Sequence, residues 1–185
     1  MQEQDRQQST PQNPSDIKLV PYVELGGEWI LSDVFLDSVF DKLVEQDLLK
    51  ITFWEGSVTD QSHFVRLARS PNNHMVFFFD DTETVVGFAW LSSVTSNYAF
   101  AHFCMFKEVW GRAEWIGQIG MDYWFSWPGD NGFLLDVIIG IMPGFNHRAH
   151  KYVENLGWTR LGVIPGMFRD LERNREDAVI YYISR

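Results

Sequence analysis

The sequence has almost no cysteine, little positive charge and no long apolar run, and each shortage removes a class of protein. Cys104 is the one cysteine, so no internal disulfide can form and a reducing compartment is the simpler setting. Fifteen Lys and Arg face 25 Asp and Glu, a net charge of −10. A general nucleic-acid binder, or a protein seated on an anionic membrane, needs the opposite sign. No segment is long and apolar enough to cross a bilayer as a helix. The first residues lack the basic and apolar blocks of a secretory signal. The chain is therefore read as soluble and cytoplasmic. Neither Gly-x-x-x-x-Gly-Lys-Ser/Thr nor Gly-x-Gly-x-x-Gly occurs, so the two best-known nucleotide-binding fingerprints are absent.

What abounds is aromatic: 8 Trp and 15 Phe in a chain that is 45% apolar. With 185 residues this supports one domain with a substantial core and excludes a disordered chain. Residues 1–16 are rich in Gln, Ser, Pro and charge and have no apolar periodicity. They are expected to form a mobile polar tail, leaving a single domain over 17–185.

The run Ile17 to Glu24 is strand-like, and Pro21 within it favours a sheet edge. Ser32 to Leu49 reads as a helix capped by Ser32, with Phe35, Val39, Leu43 and Val44 on its apolar face. A shorter helix follows from Thr59 to Arg69. His74 to Phe79, Val85 to Val94 and Tyr98 to Phe106 read as three strands, and Gly87 marks a bulge or a close backbone approach. A helix over Ala113 to Trp127 comes next. Phe133 to Met142 is nearly all apolar with Asp136 as its only charge, the pattern of an interior strand. Asn146 caps another helix, whose inner face is Ala149, Tyr152, Val153 and Leu156. Gly157 supplies the left-handed residue that ends it. Thr159 to Phe168 and Asp177 to Ser184 are the last strands. This order implies an α+β fold: a mixed, mostly antiparallel sheet of six to seven strands flanked by helices. At least one pair is parallel, where a helix crosses over.

The spacing Asn146-x-x-Ala149-x-x-Tyr152-x-x-x-Leu156-Gly157-Trp158 resembles the late helix of the GNAT superfamily of N-acetyltransferases. The order of elements over 17–185 is also similar to that fold. The resemblance implies central strands that splay to admit the pantetheine arm of acetyl-CoA. It further implies a turn after the third strand that grips pyrophosphate with unpartnered helix N-terminal amides. Gly111-Arg112-Ala113 stands at that place, with Ala where a second Gly is usual. An ordinary strand-to-helix turn is the alternative reading. By the same resemblance, backbone N–H groups of Met105 and Phe106 would polarise the acyl carbonyl and Asn146 would touch the cofactor arm. Tyr152 would donate to the departing thiolate, since a phenol near pKa 10 is a neutral donor at pH 7. Their ordinary roles are a helix cap for Asn146 and a half-buried core aromatic for Tyr152.

Glu108 and His102 are both candidates for the general base. Asp136 is a third, whose burial in an apolar strand would raise its pKa. The sequence does not choose among them. His147, His150 and Glu154 have metal-ligand spacing on one helical face, but no further His or Cys motif joins them, so they read as a solvated face with no metal. Cys104 reads as an apolar strand residue. The implied function is an acetyl-CoA-dependent N-acyltransferase acting on a small-molecule or peptide amine of unknown identity, with no nucleic acid or membrane partner. The acidic balance favours a cationic acceptor. Trp110, Trp115, Trp124 and Trp127 cannot all be buried on one face of a helix, and suggest a pocket or a surface for a homodimer or protein partner. The alternative is a catalytically silent GNAT-like fold used for binding or assembly, such as a small accessory protein of a bacteriophage.

Overall fold

A computed structural model describes residues 17–130, 132–170 and 172–185, so the expected polar tail lies outside the described residues. Strand β1 (Lys18–Pro21) forms one edge of the main sheet, consistent with its proline, and a two-residue hairpin, β2 (Glu24–Leu25) with β3 (Glu28–Trp29), follows. Helix α1 (Asp33–Glu45) starts as its cap requires: the Ser32 hydroxyl accepts the Phe35 N–H at 3.2 Å. It stops earlier than its apolar periodicity suggests. Asp47 takes a left-handed conformation (φ 54°), and the Leu48 N–H closes back on the Leu43 carbonyl at 2.9 Å. That six-to-one bond is a Schellman ending. A single turn, α2 (Leu49–Thr52), restarts the chain, and α3 (Gln61–Ala68) is capped by Asp60, which accepts the His63 N–H at 2.9 Å.

The strands β4 (Asn73–Phe79), β5 (Val85–Ser92) and β6 (Tyr98–Met105) form an antiparallel meander. A 3₁₀ turn over Lys107–Arg112 runs directly into α4 (Ala113–Phe125). The next apolar stretch divides in two. Gly132–Phe133 (β8) pairs with Pro128–Gly129 (β7) in a small exposed hairpin, and only Val137–Pro143 (β9) enters the main sheet. The sequence pattern could not separate them, because both halves are apolar. Helix α5 (His147–Asn155) then leads to the long hairpin of β10 (Thr159–Arg169) and β11 (Arg175–Ser184). Gly157 has the expected positive φ of 81°.

The main sheet has the order β1-β4-β5-β6-β9-β11-β10, and β6–β9 is its parallel pair. Two cores cover its two faces. Met75, Phe77, Phe88 and Trp90 pack with α1 and α3 through Leu36, Leu43 and Phe64. Val76, Phe78, Ala89 and Leu91 pack with α4 and α5 through Ile116, Trp124 and Val153. Adjacent residues such as Phe77 and Phe78 thus serve opposite cores, as the two-residue period of a strand buried on both sides dictates. Of the clustered tryptophans, Trp124 is fully buried and Trp110, Trp115 and Trp127 are half-buried against the α4 core. None of the four is fully exposed, and Trp110 lines a cavity, one of the two placements expected for them.

Gly87 sits where β4 and β5 slip register, and a Cβ there would lie 2.6 Å from the Met105 sulfur and 2.8 Å from the Cys104 carbonyl oxygen. Backbone cannot yield as a side chain can, so Gly87→Ala should destabilise the fold by about 1–3 kcal/mol. The check is the midpoint of urea unfolding, which should move well below that of the parent chain.

Candidate active site

Strands β6 and β9 pair only at Tyr98 with Val137, Ala99 with Ile138 and Phe100 with Ile139. Beyond those residues they diverge, while β6 stays on β5 as far as Met105. The Phe106 N–H donates to the Val86 carbonyl at 3.0 Å, on the β5 side. Antiparallel ladder bonds alternate in direction, so the peptide groups of Met105 and Phe103 point the other way, into the gap. The Phe106 amide is therefore spent on the sheet and cannot polarise a carbonyl in the gap. Its side chain is fully buried as well. Met105 does face the gap. Its carbonyl accepts the Trp110 indole N–H at 2.9 Å, leaving the amide as its directed donor.

A cavity of about 570 Å³ opens on each side of this gap. The two share Phe103, Asn146, Ala149 and Tyr152 in their walls. Met105, Trp110, Ala113, Glu114, Arg148 and Lys151 line the first. Trp54, Glu55, Trp90, Ser92, His102 and Phe168 line the second.

Tyr152 occupies the junction. Its hydroxyl is buried and has no hydrogen-bond partner among the described residues. It fits there because α4 carries Gly117 beneath it: a Cβ at that position would be 2.0 Å from the phenolic oxygen. Burial, reinforced by the charge of Glu114, holds the phenol well above its ordinary pKa. An orphaned buried hydroxyl is costly, and its natural complement is a ligand acceptor in the gap. Asn146 performs its helix-capping role, with the side-chain oxygen accepting the Ala149 N–H at 3.1 Å, while standing in both cavity walls.

The turn after β6 differs from an open phosphate loop. Its 3₁₀ bonds take up backbone amides that a loop would leave free, and no side chain caps α4. Gly111 and Arg112 line neither cavity, and the Arg112 charge falls on Asp80 in the β4–β5 loop. Ala113 alone of the three lines the first cavity. Positive charge comes instead from α5, where the Arg148 guanidinium lies 3.7 Å from the centre of the Trp110 ring and Lys151 stands one turn on. This stack joins the turn to α5 across the cavity.

The candidate bases separate clearly. Glu108 lines neither cavity. It pairs with Lys42 at 2.5 Å and accepts the Gln46 amide at 2.9 Å. Burial alone would raise its pKa, but those two partners outweigh it and hold the carboxyl below the usual range. Asp136 is exposed, just before β9, and pairs with Arg185 at 2.6 Å, so the expected burial does not occur. His102 does line the second cavity. Its ring lies flat on Trp90, with centroids 4.4 Å apart, and one ring nitrogen is 3.0 Å from the Ser92 hydroxyl. Burial lowers its pKa to about 4, so the imidazole is neutral at neutral pH. Cys104 is buried, meets the Thr52 hydroxyl at 3.3 Å and has its pKa pushed up by burial to about 12, as suits an inert strand residue. His150 turns toward the Pro143 carbonyl at 3.1 Å and Glu154 accepts the Tyr181 hydroxyl at 2.8 Å. The described residues hold no cluster able to bind a metal.

Sequence reading missed Trp54, Trp90, Ser92, Arg148, Lys151 and Phe168. Only Arg148 and Lys151 carried a signal, as cations spaced one helical turn apart beside Asn146. The others are distributed over the turn after α2, β5 and β10, with no shared pattern.

No protein-family model matches the sequence, and no curated protein matches it at a significant level. Solved structures do match its shape. A spermidine N-acetyltransferase from Vibrio cholerae, solved with CoA and spermine, is 16% identical and superposes with a TM-score of 0.68 over 92% of this chain and 96% of its own. An acetyltransferase from Salmonella typhimurium that modifies the N-terminal serine of a 50S ribosomal subunit protein is 11% identical, with a TM-score of 0.72 over 92% and 96%. The described chain therefore has the GNAT acyl-CoA N-acyltransferase fold.

Proposed function

We propose that the protein is an acyl-CoA-dependent N-acyltransferase, with the thioester arm in the β6–β9 gap and the amine entering from the second cavity. The single observation that carries this reading is the parting of β6 from β9 beside Tyr152, whose buried hydroxyl has no hydrogen-bond partner among the described residues. The donor set suits an acyl-CoA: Met105 N–H for a carbonyl, Tyr152 for sulfur, and Arg148 with Lys151 for phosphates. When bound, the cosubstrate supplies an activated acyl carbonyl.

The chain's own residues do the rest. The Met105 amide is fixed by the ladder and needs no reorganisation to donate. Tyr152 keeps its proton at neutral pH and can donate a hydrogen bond to the sulfur as the C–S bond breaks and the N–C bond forms; the proton released by the amine nitrogen goes by way of solvent to the departing thiolate, which leaves as the thiol. His102 is too weak a base to strip an ammonium, but as a neutral imidazole beside Ser92 it accepts a hydrogen bond and orients an amine that arrives uncharged. The apolar walls around it favour that uncharged form.

A thermal shift with acetyl-CoA tests cofactor binding, because a ligand that prefers the folded state raises the midpoint. Midpoints that stay level at millimolar acetyl-CoA would leave a silent scaffold. Arg148→Glu should weaken acetyl-CoA by roughly tenfold or more, an effect of at least ~1.4 kcal/mol read by calorimetry. Tyr152→Phe should lower turnover by roughly 10²-fold with acetyl-CoA affinity nearly unchanged; equal turnover would remove the donor role.

The neutrality of His102 has its own test. Folded, the imidazole protonates only near its depressed pKa of about 4, whereas the unfolded side chain protonates near 6.5. Between those values the unfolded chain binds the extra proton, so this contribution is full above pH 6.5 and is lost as pH falls toward 4. The loss amounts to about 3 kcal/mol. Urea midpoints at several pH values in this window should therefore fall more steeply for the parent than for His102→Asn. Parallel slopes would mean a charged or solvated imidazole.

A further inference from the structure

We propose that the second cavity accepts a small primary amine with one aromatic or aliphatic body and a single ammonium group, and that it discriminates against polyamines. This rests on the acyl-transfer reading only for what then happens to the bound amine.

The walls of the cavity are π faces held from several directions. The Trp54 ring is 4.8 Å from Phe168 of β10 and 6.1 Å from Phe145 of the β9–α5 connection, edge-on to both. Phe53 stacks on Trp90 at 5.8 Å, and Trp90 on His102 at 4.4 Å. Side chains fixed by such contacts present a preformed apolar slot, which favours a flat or aliphatic body without ordering cost.

Charge in the slot is sparse. Among the described residues Glu55 is the one charged side chain in its wall, and it is exposed at the surface, accepting the Ser57 hydroxyl at 2.5 Å. The remaining polar groups there, including Asn73, Ser92 and His102, are neutral. Arg148 and Lys151 line only the other cavity. One carboxylate beside Trp54 can steer one ammonium inward by charge and by the ring face. At the cavity mouth the ammonium gives its proton to bulk water, and the neutral amine moves inward to meet His102 and Ser92. A polyamine has two or three further ammonium groups, and these would lie against apolar walls with no counter-charge, which is strongly unfavourable. Likeness of fold to a spermidine acetyltransferase therefore does not carry that substrate over.

The test is calorimetric titration of the full chain with 2-phenylethylamine and with spermine, each with and without CoA. Phenylethylamine should bind at least roughly tenfold more tightly than spermine, a gap of ~1.4 kcal/mol. Trp54→Ala should weaken phenylethylamine about fivefold or more, and Trp54→Phe should restore most of it. Phe168→Ala, in a different element, should act like Trp54→Ala and guards against a folding defect in one variant. Spermine binding as tightly as phenylethylamine, or affinity untouched in both alanine variants, overturns the proposal. Amine binding in the absence of any response to CoA would instead sink the acyl-transfer reading and leave this one standing. CoA binding without amine binding would do the reverse.

Discussion

The parting of β6 from β9 is the constraint on which the rest of the structure depends. After three paired residues the parallel strands separate, and the peptide groups of Phe103 and Met105 lose the partner that a continuous sheet would give them. The separation is kept by side chains rather than by a loop. Phe103 meets Tyr152 and Trp158 edge-to-face on the α4–α5 face of the sheet, and Trp158 packs on β9 where Gly140 leaves room for it. A Cβ at Gly140 would lie 3.0 Å from that indole, so the packing tolerates little change. Aromatic bulk opens the sheet, and the opening exposes oriented backbone donors where water is scarce.

The two cavities along that opening differ in their electrostatics. The first cavity has cations from α5 and the N-terminal end of α4. The second has stacked aromatic rings, neutral hydrogen-bonding groups and one surface carboxylate. The two cavities therefore suit ligands of different charge, one anionic and one apolar. Tyr152 belongs to both walls. Its raised pKa keeps it a donor across the neutral range, and Glu114, tied to Asn155 at 2.9 Å, contributes to that shift from a fixed position.

Parts of the candidate site were legible in the sequence for identifiable reasons. Met105, Asn146 and Tyr152 were named because the element order and the helix motif resemble the GNAT fold, and His102 because an imidazole is a candidate base; all four line the two cavities. Glu108 and Arg112 could not be judged that way, because their surroundings come from Lys42, Gln46 and Asp80, each supplied by a distant element. The turn after β6 was open to two readings in the sequence for a related reason. Gly111-Arg112-Ala113 has the composition of an open loop, but its conformation is a 3₁₀ turn continuous with α4, a choice settled by the burial of Val109 and Ala113.

What the sequence determined alone is the local grammar. Ser32, Asp60 and Asn146 each cap a helix through a bond spanning three residues, Gly157 ends one, and Pro21 assigns β1 to an edge. Such interactions are complete within one turn or one strand, so composition and spacing suffice to read them. Tertiary structure decided what faces what. It set Gly117 beneath Tyr152, Arg148 over Trp110, Phe168 against Trp54, and Asp136 in solvent rather than in the core. Each of those pairings depends on how two independently formed elements dock. Docking is governed by the summed packing of both cores, which no spacing within a single segment encodes.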